Sequence, residues 1–193
     1  MTPLKKELQM NKNKAVLLDR DGTLIYDRPG YYLTDPKKLK ILKDTPLALK
    51  LLTDLGFKLF IVSNQSAIGR GFITEQRARQ INKKLSDGLK PYGIKITGIY
   101  YCPHSPAANC SCRKPKTALG KQIIKKYKLD PKLCYMIGDK NTDLKFGYNL
   151  NMKTVLVKTG HGRDELKLHK KLKADFMAKN ILSAAKWIKK NEI

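Results

Sequence analysis

Ala15-Val16-Leu17-Leu18-Asp19-Arg20-Asp21-Gly22-Thr23 decides the fold of this 193-residue chain. Four apolar residues lead straight to two carboxylates, one residue apart, and then to a glycine. A strand buried on both faces of a parallel sheet reads as such a continuous apolar run, and ligands of such sheets sit beyond the carboxyl ends of the strands. Two acids placed there repel each other and are costly to desolvate, which a bound cation such as Mg²⁺ relieves. The other reading is a strand-end cap followed by an Asp-Gly hairpin turn.

The segments on either side repeat the pattern of strand and helix. Ala15–Asp19 is the first strand, and Asp44-Thr45-Pro46 opens a helix with a capping residue and an early proline. Leu47, Leu51, Leu52 and Leu55 share one face of that helix, and Gly56 ends it. A second strand, Lys58–Ser63, runs into Asn64-Gln65-Ser66, and Thr74 caps a long helix reaching about Lys90. A third strand, Ile94–Tyr101, ends at Cys102, and a cysteine-rich loop continues to Pro115. A helix over Thr117–Tyr127, a fourth strand Leu133–Gly138 ending at Asp139, a short helix Asn141–Asn149 and a fifth strand Thr154–Val157 follow. An amphipathic helix carrying Ile181, Leu182, Ala185, Trp187 and Ile188 closes the chain.

This alternation predicts right-handed crossovers and an α/β fold with a mostly parallel central sheet and helices on both faces. It also predicts where chemistry gathers: at the ends of the first, second and fourth strands, which carry Asp19 and Asp21, Ser63 and Asn64, and Asp139. Length and the lack of any internal boundary predict one domain over residues 1–193, with 1–14 a polar extension. No apolar run has the length of a membrane span, and the lysine-rich start lacks the apolar core of a signal peptide. A cytoplasmic protein is expected.

Lys and Arg number 40 against 16 Asp and Glu, a net charge of +24. Such a balance invites a nucleic-acid partner. The lysines are scattered, however, and no arginine-rich tract or basic stripe interleaved with aromatics stands out. Nucleic acid is therefore not the expected partner; a generally basic surface speeds the encounter with any anionic substrate.

The three strand ends resemble the signature motifs of the haloacid dehalogenase (HAD) superfamily of phosphotransferases. Asn64-Gln65-Ser66-Ala67-Ile68-Gly69-Arg70-Gly71, Ile99-Tyr100-Tyr101-Cys102-Pro103-His104 and Cys110-Ser111-Cys112-Arg113-Lys114-Pro115 narrow the likeness to one branch. That branch holds the D-glycero-D-manno-heptose 1,7-bisphosphate 7-phosphatases and the histidinol-phosphatase domains. The likeness runs from about Val16 to Gly162 and implies a Rossmann-like HAD fold with a zinc-stabilised loop.

The resemblance implies a Mg²⁺-dependent phosphomonoesterase in which Asp19 is the nucleophile that forms an aspartyl-phosphate. Asp21 protonates the leaving alcohol and later activates water. Mg²⁺ takes oxygen ligands, here expected from Asp19, Asp139 and the main-chain carbonyl of Asp21. Ser63 and Lys114 are expected to stabilise the charge on the transferring phosphoryl group. Substrate recognition is assigned to Asp27, Arg28, Pro29 and Gly30, to Ser63, Asn64, Gln65 and Ser66, and to Arg113, Lys114 and Lys140. Asp143, one helical turn after Asp139, either orients this site by hydrogen bonding or contacts the metal through water, or else compensates the helix dipole.

Cys102, His104, Cys110 and Cys112 offer three thiolates and an imidazole, enough for a closed tetrahedral Zn²⁺ site of the structural kind. A disulfide suits a cytoplasmic chain poorly. Since Cys112 precedes Arg113-Lys114, zinc would hold those two cations in place. Cys134 reads as a core residue, and His161 and His169 are left without a role. The turn NQSAIGRG at Asn64–Gly71 and the Asp27–Tyr31 loop favour the heptose type, hence a sugar bisphosphate losing the phosphate of its primary alcohol. The rival readings are a histidinol-phosphate phosphatase, a polynucleotide 3′-phosphatase and a non-enzymatic basic binding module. A monomer with a phosphorylated sugar as substrate and no membrane partner is expected.

Overall fold

The computed structural model describes residues 13–171 and 173–192. Six strands form one parallel sheet: β1 (Ala15–Leu18), β2 (Lys58–Asn64), β3 (Ile96–Cys102), β4 (Tyr135–Gly138), β5 (Lys153–Val157) and β6 (Phe176–Ala178). Their spatial order is β3-β2-β1-β4-β5-β6. The chain winds outward from β1 in one direction and from β4 in the other. The crevice between β1 and β4 is thus the topological switch point, where ligands of such sheets bind.

Register sets the site. Leu18 is level with Ile61 of β2 and Ile137 of β4, and the Asp19 amide donates to the Ile137 carbonyl at 2.9 Å. Asp19 and Asp139 therefore emerge side by side, just past the ends of neighbouring strands.

The period of two along β1 divides the core. Val16 and Leu18 pack on one face, against α1 (Thr45–Asp54), α3 (Glu75–Leu89) and α7 (Ile181–Glu192). Ala15 and Leu17 pack on the other, with Ile123 of α4 (Ala118–Tyr127) and Phe146 of α5 (Asn141–Tyr148). Helices cover both faces, as the alternating pattern implied. Two short helices, α2 (Ser66–Gly69) and α6 (Gly162–Leu168), lie at the carboxyl edge of the sheet.

Local signals worked where side chains cap. The Thr74 hydroxyl accepts from the Arg77 amide at 3.1 Å and starts α3 as expected. Elsewhere the structure corrects the reading. In α1 the buried stripe is Thr45, Ala48, Leu49 and Leu52, whereas Leu47 is 61% exposed and Leu51 and Leu55 pack only at the core margin. Four leucines at helical spacing did not distinguish a centre from an edge. The fourth strand starts at Tyr135 because Asp130 caps a tight turn over Pro131–Leu133. β6 and α6 were not anticipated. β6 has only three residues and is held by Asp175, whose carboxylate accepts from the Thr154 amide at 2.7 Å, and by Phe176 stacked on Trp187 at 4.9 Å. Residues 1–12 of the polar extension lie outside the described residues. Among those described, no helix is long and apolar enough to cross a membrane.

Candidate active site

At the switch point four charged side chains are packed out of water. The Lys114 ammonium donates to Asp19 Oδ1 at 2.7 Å and to the Val62 carbonyl at 2.6 Å, and pairs with Asp143 Oδ1 at 2.6 Å. Asp139 is fully buried and takes a hydrogen bond on Oδ2 from the His161 amide at 2.8 Å. Burial alone would raise the Asp19 carboxyl, but Lys114 and Lys140 carry it below the ordinary value. Burial, with the charge of Asp19 beside it, pushes Asp139 well above that value. Asp143 rises to about 6, again through burial, against the pull of Lys114. Three carboxylates set against the ammonium groups of Lys114 and Lys140 are still short of positive charge.

This donor set fits Mg²⁺. Ligand oxygens of Asp19, Asp139 and Asp143 lie within 4.8 Å of one another, and a divalent ion takes hard oxygen ligands while offsetting the burial and mutual repulsion that raise Asp139. Gly22 makes the approach possible. It has φ +80°, and a Cβ there would lie 2.2 Å from Asp139 Oδ2, so only glycine lets the loop turn against that carboxylate.

Above the acids opens a cleft of about 370 Å³. A further cavity of about 30 Å³ lies among Asp19, Asp21, Ser63 and Lys114, and Asn64, Lys140, Asp21 and Thr142 line both spaces. The cleft wall carries Arg28, Arg70 and Arg113. The Arg113 Nη1 is buried without a hydrogen-bond partner, which leaves a planar donor fork ready for an oxyanion or sugar hydroxyls. On the opposite side, Asp27 Oδ2 meets His161 Nε2 at 3.3 Å and Lys140 Nζ at 3.7 Å.

The loop that delivers Arg113 and Lys114 is fastened twice. Asn64 accepts from the Lys114 amide at 2.9 Å and donates to its carbonyl at 3.1 Å. Beside it the four soft ligands converge: Cys102–Cys110 at 3.4 Å, Cys110–Cys112 at 3.5 Å, Cys112–His104 Nδ1 at 3.3 Å and Cys102–His104 Nδ1 at 3.7 Å. Tetrahedral zinc bonds imply edges of about 3.8 Å between sulfurs and about 3.5 Å between sulfur and nitrogen. The cluster has that size, and its sulfurs are too far apart for a disulfide. Burial pushes the Cys102 thiol up to about 12, so a cation is needed to hold it as thiolate.

A HAD-hydrolase-like family model matches residues 111–184. A D-glycero-beta-D-manno-heptose-1,7-bisphosphate 7-phosphatase of Haemophilus ducreyi is 42% identical over 155 residues, 76% of this chain and 84% of its own length. The enzyme of the same name from Pasteurella multocida is 36% identical over 183 residues, 91% of this chain and 97% of its own. The chain belongs to the heptose-bisphosphate phosphatase family. A solved member of that family, the D,D-heptose 1,7-bisphosphate phosphatase of B. bronchiseptica complexed with magnesium and phosphate, superposes with a TM-score of 0.86 at 26% identity, covering 92% of this chain and 99% of its own.

Of the family residues expected from sequence, Asp19, Asp21, Ser63 and Lys114 line the small cavity, Asp139 is buried with a ligand oxygen within 4.8 Å of one of Asp19, and Asp27, Arg28, Gly30, Asn64, Gln65, Ser66, Arg113 and Lys140 line the cleft. Pro29 is exposed and does not line the cleft. Asp143 Oδ2 accepts from the Lys140 amide at 3.0 Å at the N-terminus of α5, while Oδ1 pairs with Lys114 at 2.6 Å. Sequence reading missed His161, whose amide holds Asp139 and whose ring faces Asp27, because nothing local marks it. It also treated Arg20 as a spacer and gave Asn82 no role.

Proposed function

We propose that this protein is a Mg²⁺-dependent phosphatase that removes the 7-phosphate of D-glycero-D-manno-heptose 1,7-bisphosphate through an aspartyl-phosphate on Asp19. The observation that carries this reading is the union of a buried Asp19–Lys114 pair with a cleft whose wall carries Arg28, Arg70 and Arg113, in a chain up to 42% identical to enzymes of that name. A bisphosphate needs cations at both ends, one set over the reacting phosphorus and another over the distal phosphate. Lys114 and Lys140 serve the first, the arginines the second.

The steps follow from the positions. Lys114 holds Asp19 Oδ1 at 2.7 Å, and the Asp19 carboxylate attacks phosphorus. The bond from phosphorus to the C7 oxygen breaks, and Asp21 gives that oxygen its proton. Asp21, now a carboxylate, takes a proton from water as the water oxygen attacks phosphorus, and the Asp19–phosphorus bond breaks to release inorganic phosphate. Ser63, whose hydroxyl stands 3.5 Å from Asp21 Oδ2, and Lys114 hold the equatorial oxygens. Asp19, Asp139 and the Asp21 carbonyl would hold Mg²⁺, which when bound neutralises phosphate charge. Zinc on Cys102, His104, Cys110 and Cys112 would keep Arg113 and Lys114 in place without joining the chemistry.

The reading implies a cytoplasmic monomer acting on a phosphorylated sugar, its basic surface serving encounter rather than nucleic-acid binding. A kinetic panel of both heptose 1,7-bisphosphate anomers, histidinol phosphate and 3′-phosphorylated DNA tests it. Highest kcat/KM on a heptose bisphosphate is expected; a higher value on histidinol phosphate, or on DNA ends with a steep fall in salt, would overturn it.

A further inference from the structure

Arg20 stands between the two acids of the motif, and its side chain is buried. Its Nε donates to Asp21 Oδ2 at 2.9 Å and its Nη2 to Asp21 Oδ1 at 3.0 Å. The remaining nitrogen, Nη1, donates to Asn82 Oδ1 at 2.8 Å. Asn82 belongs to α3, on the stripe otherwise made of Ala78, Ile81, Leu85 and Leu89, and is 4% exposed. The same Oδ1 accepts from Gln65 Nε2 at 3.1 Å. Asn82 Nδ2 and Gln65 Oε1 are buried with no partner.

An amide on an apolar stripe with one half unsatisfied is a net cost in burial. What the amide holds accounts for its presence. A guanidinium is planar and its donors form a rigid fork. With Nη1 fixed on Asn82, the edge formed by Nε and Nη2 has one orientation, and the Asp21 carboxylate lying along that edge inherits it. Each carboxylate oxygen keeps a lone pair outside the fork.

We propose that Asn82, through Arg20, is a positioning residue that aims the Asp21 carboxylate for hydrolysis of the aspartyl-phosphate. The inference rests on the role of Asp21 given above. In that half-reaction water transfers a proton to Asp21, the water oxygen bonds to phosphorus, and the bond from phosphorus to Asp19 breaks. Misplacement of a catalytic group by about 1 Å costs as much as about 100-fold. Loss of the Asn82 acceptor frees the Arg20 fork and slows this half-reaction by about 10- to 100-fold.

The test uses 4-nitrophenyl phosphate, whose leaving group needs no proton, with the Mg²⁺- and zinc-loaded protein. Asn82→Ala should form nitrophenolate at the wild-type rate in a burst approaching about one per active site, followed by slow steady-state turnover. Rapid acid quench and intact-mass analysis should show phosphorylated protein accumulating. Asn82→Asp keeps an acceptor for both Arg20 and Gln65 and should restore wild-type turnover; it also serves if Asn82→Ala does not fold. Wild-type kinetics in Asn82→Ala, an equal slowing of the burst and the steady state, or a folded Asn82→Asp as slow as Asp21→Asn would overturn the inference. Asp21→Asn separates the two proposals. If it turns over like wild type, the role of Asp21 is wrong; if it is inactive while Asn82→Ala is normal, only the positioning role is wrong.

Discussion

Lys114→Met is the perturbation whose cost the structure specifies most fully. The ammonium is 2% exposed and lies 2.7 Å from Asp19 Oδ1 and 2.6 Å from Asp143 Oδ1, carboxylates that are 7% and 1% exposed. Methionine fills nearly the same volume, so cavity formation adds little. The loss is electrostatic: two buried carboxylates keep their desolvation and lose their shared cation. Each pair is worth about 4 kcal/mol at an effective dielectric of 20. Part of this returns because the orphaned acids take up protons and because no ammonium has to be desolvated. Breaking a buried pair by removing one partner nets about 3–5 kcal/mol, or about 6–20 °C in Tm for a chain of this size. The assay is thermal and urea unfolding of zinc-loaded, Mg²⁺-free protein at neutral pH. The double variant Lys114→Met/Asp143→Asn removes one orphaned charge and should regain at least about 1 kcal/mol. Stability of Lys114→Met within about 0.5 kcal/mol of wild type, or a double variant less stable than the single one, would refute the reasoning.

Asp19→Asn should abolish phosphate release while the fold persists, since Lys114 keeps the Asp143 carboxylate; continued turnover, with contaminating phosphatase excluded, would end the nucleophile assignment. Metal analysis of protein purified without chelator should find about one zinc per chain, and stripping it should expose the 103–113 loop to protease and lower activity until zinc returns. A protein without zinc, or an equally protected loop after stripping, would count against the site. The folded protein without Mg²⁺ retains protons on Asp143, raised to about 6 from 3.8, and on Asp139, which the unfolded chain releases. Its stability therefore falls as pH rises from about 4 through 6 and beyond. The gain in Tm on adding Mg²⁺ should grow across that window; a gain independent of pH would contradict the crowded-carboxylate account. Gly22→Ala, which drives a Cβ into Asp139 Oδ2, should raise the Mg²⁺ concentration for half-maximal activity at least about tenfold, and unchanged dependence would show that the loop is not pressed against that acid.

The sequence by itself determined the parts whose signal is local or periodic. Val16-Leu17-Leu18 read as a strand covered on both sides, Thr74 could start α3 because its hydroxyl reaches an amide three residues on, and two carboxylates after an apolar run pointed to a cation. The family resemblance, more than the spacing itself, pointed Cys102, His104, Cys110 and Cys112 at one ion. Tertiary structure alone decided the pairings between residues far apart in the chain: Lys114 on Asp19 and Asp143, the His161 amide on Asp139, and Asn82 on Arg20. Nothing local distinguishes Asn82 from a solvated helix residue, because its role depends on which face of α3 meets the sheet. Nor could the leucines of α1 reveal which of them lies at the centre of the buried stripe. Periodicity specifies that a face is buried, but only packing against a particular neighbour specifies which side chain on that face touches the chemistry.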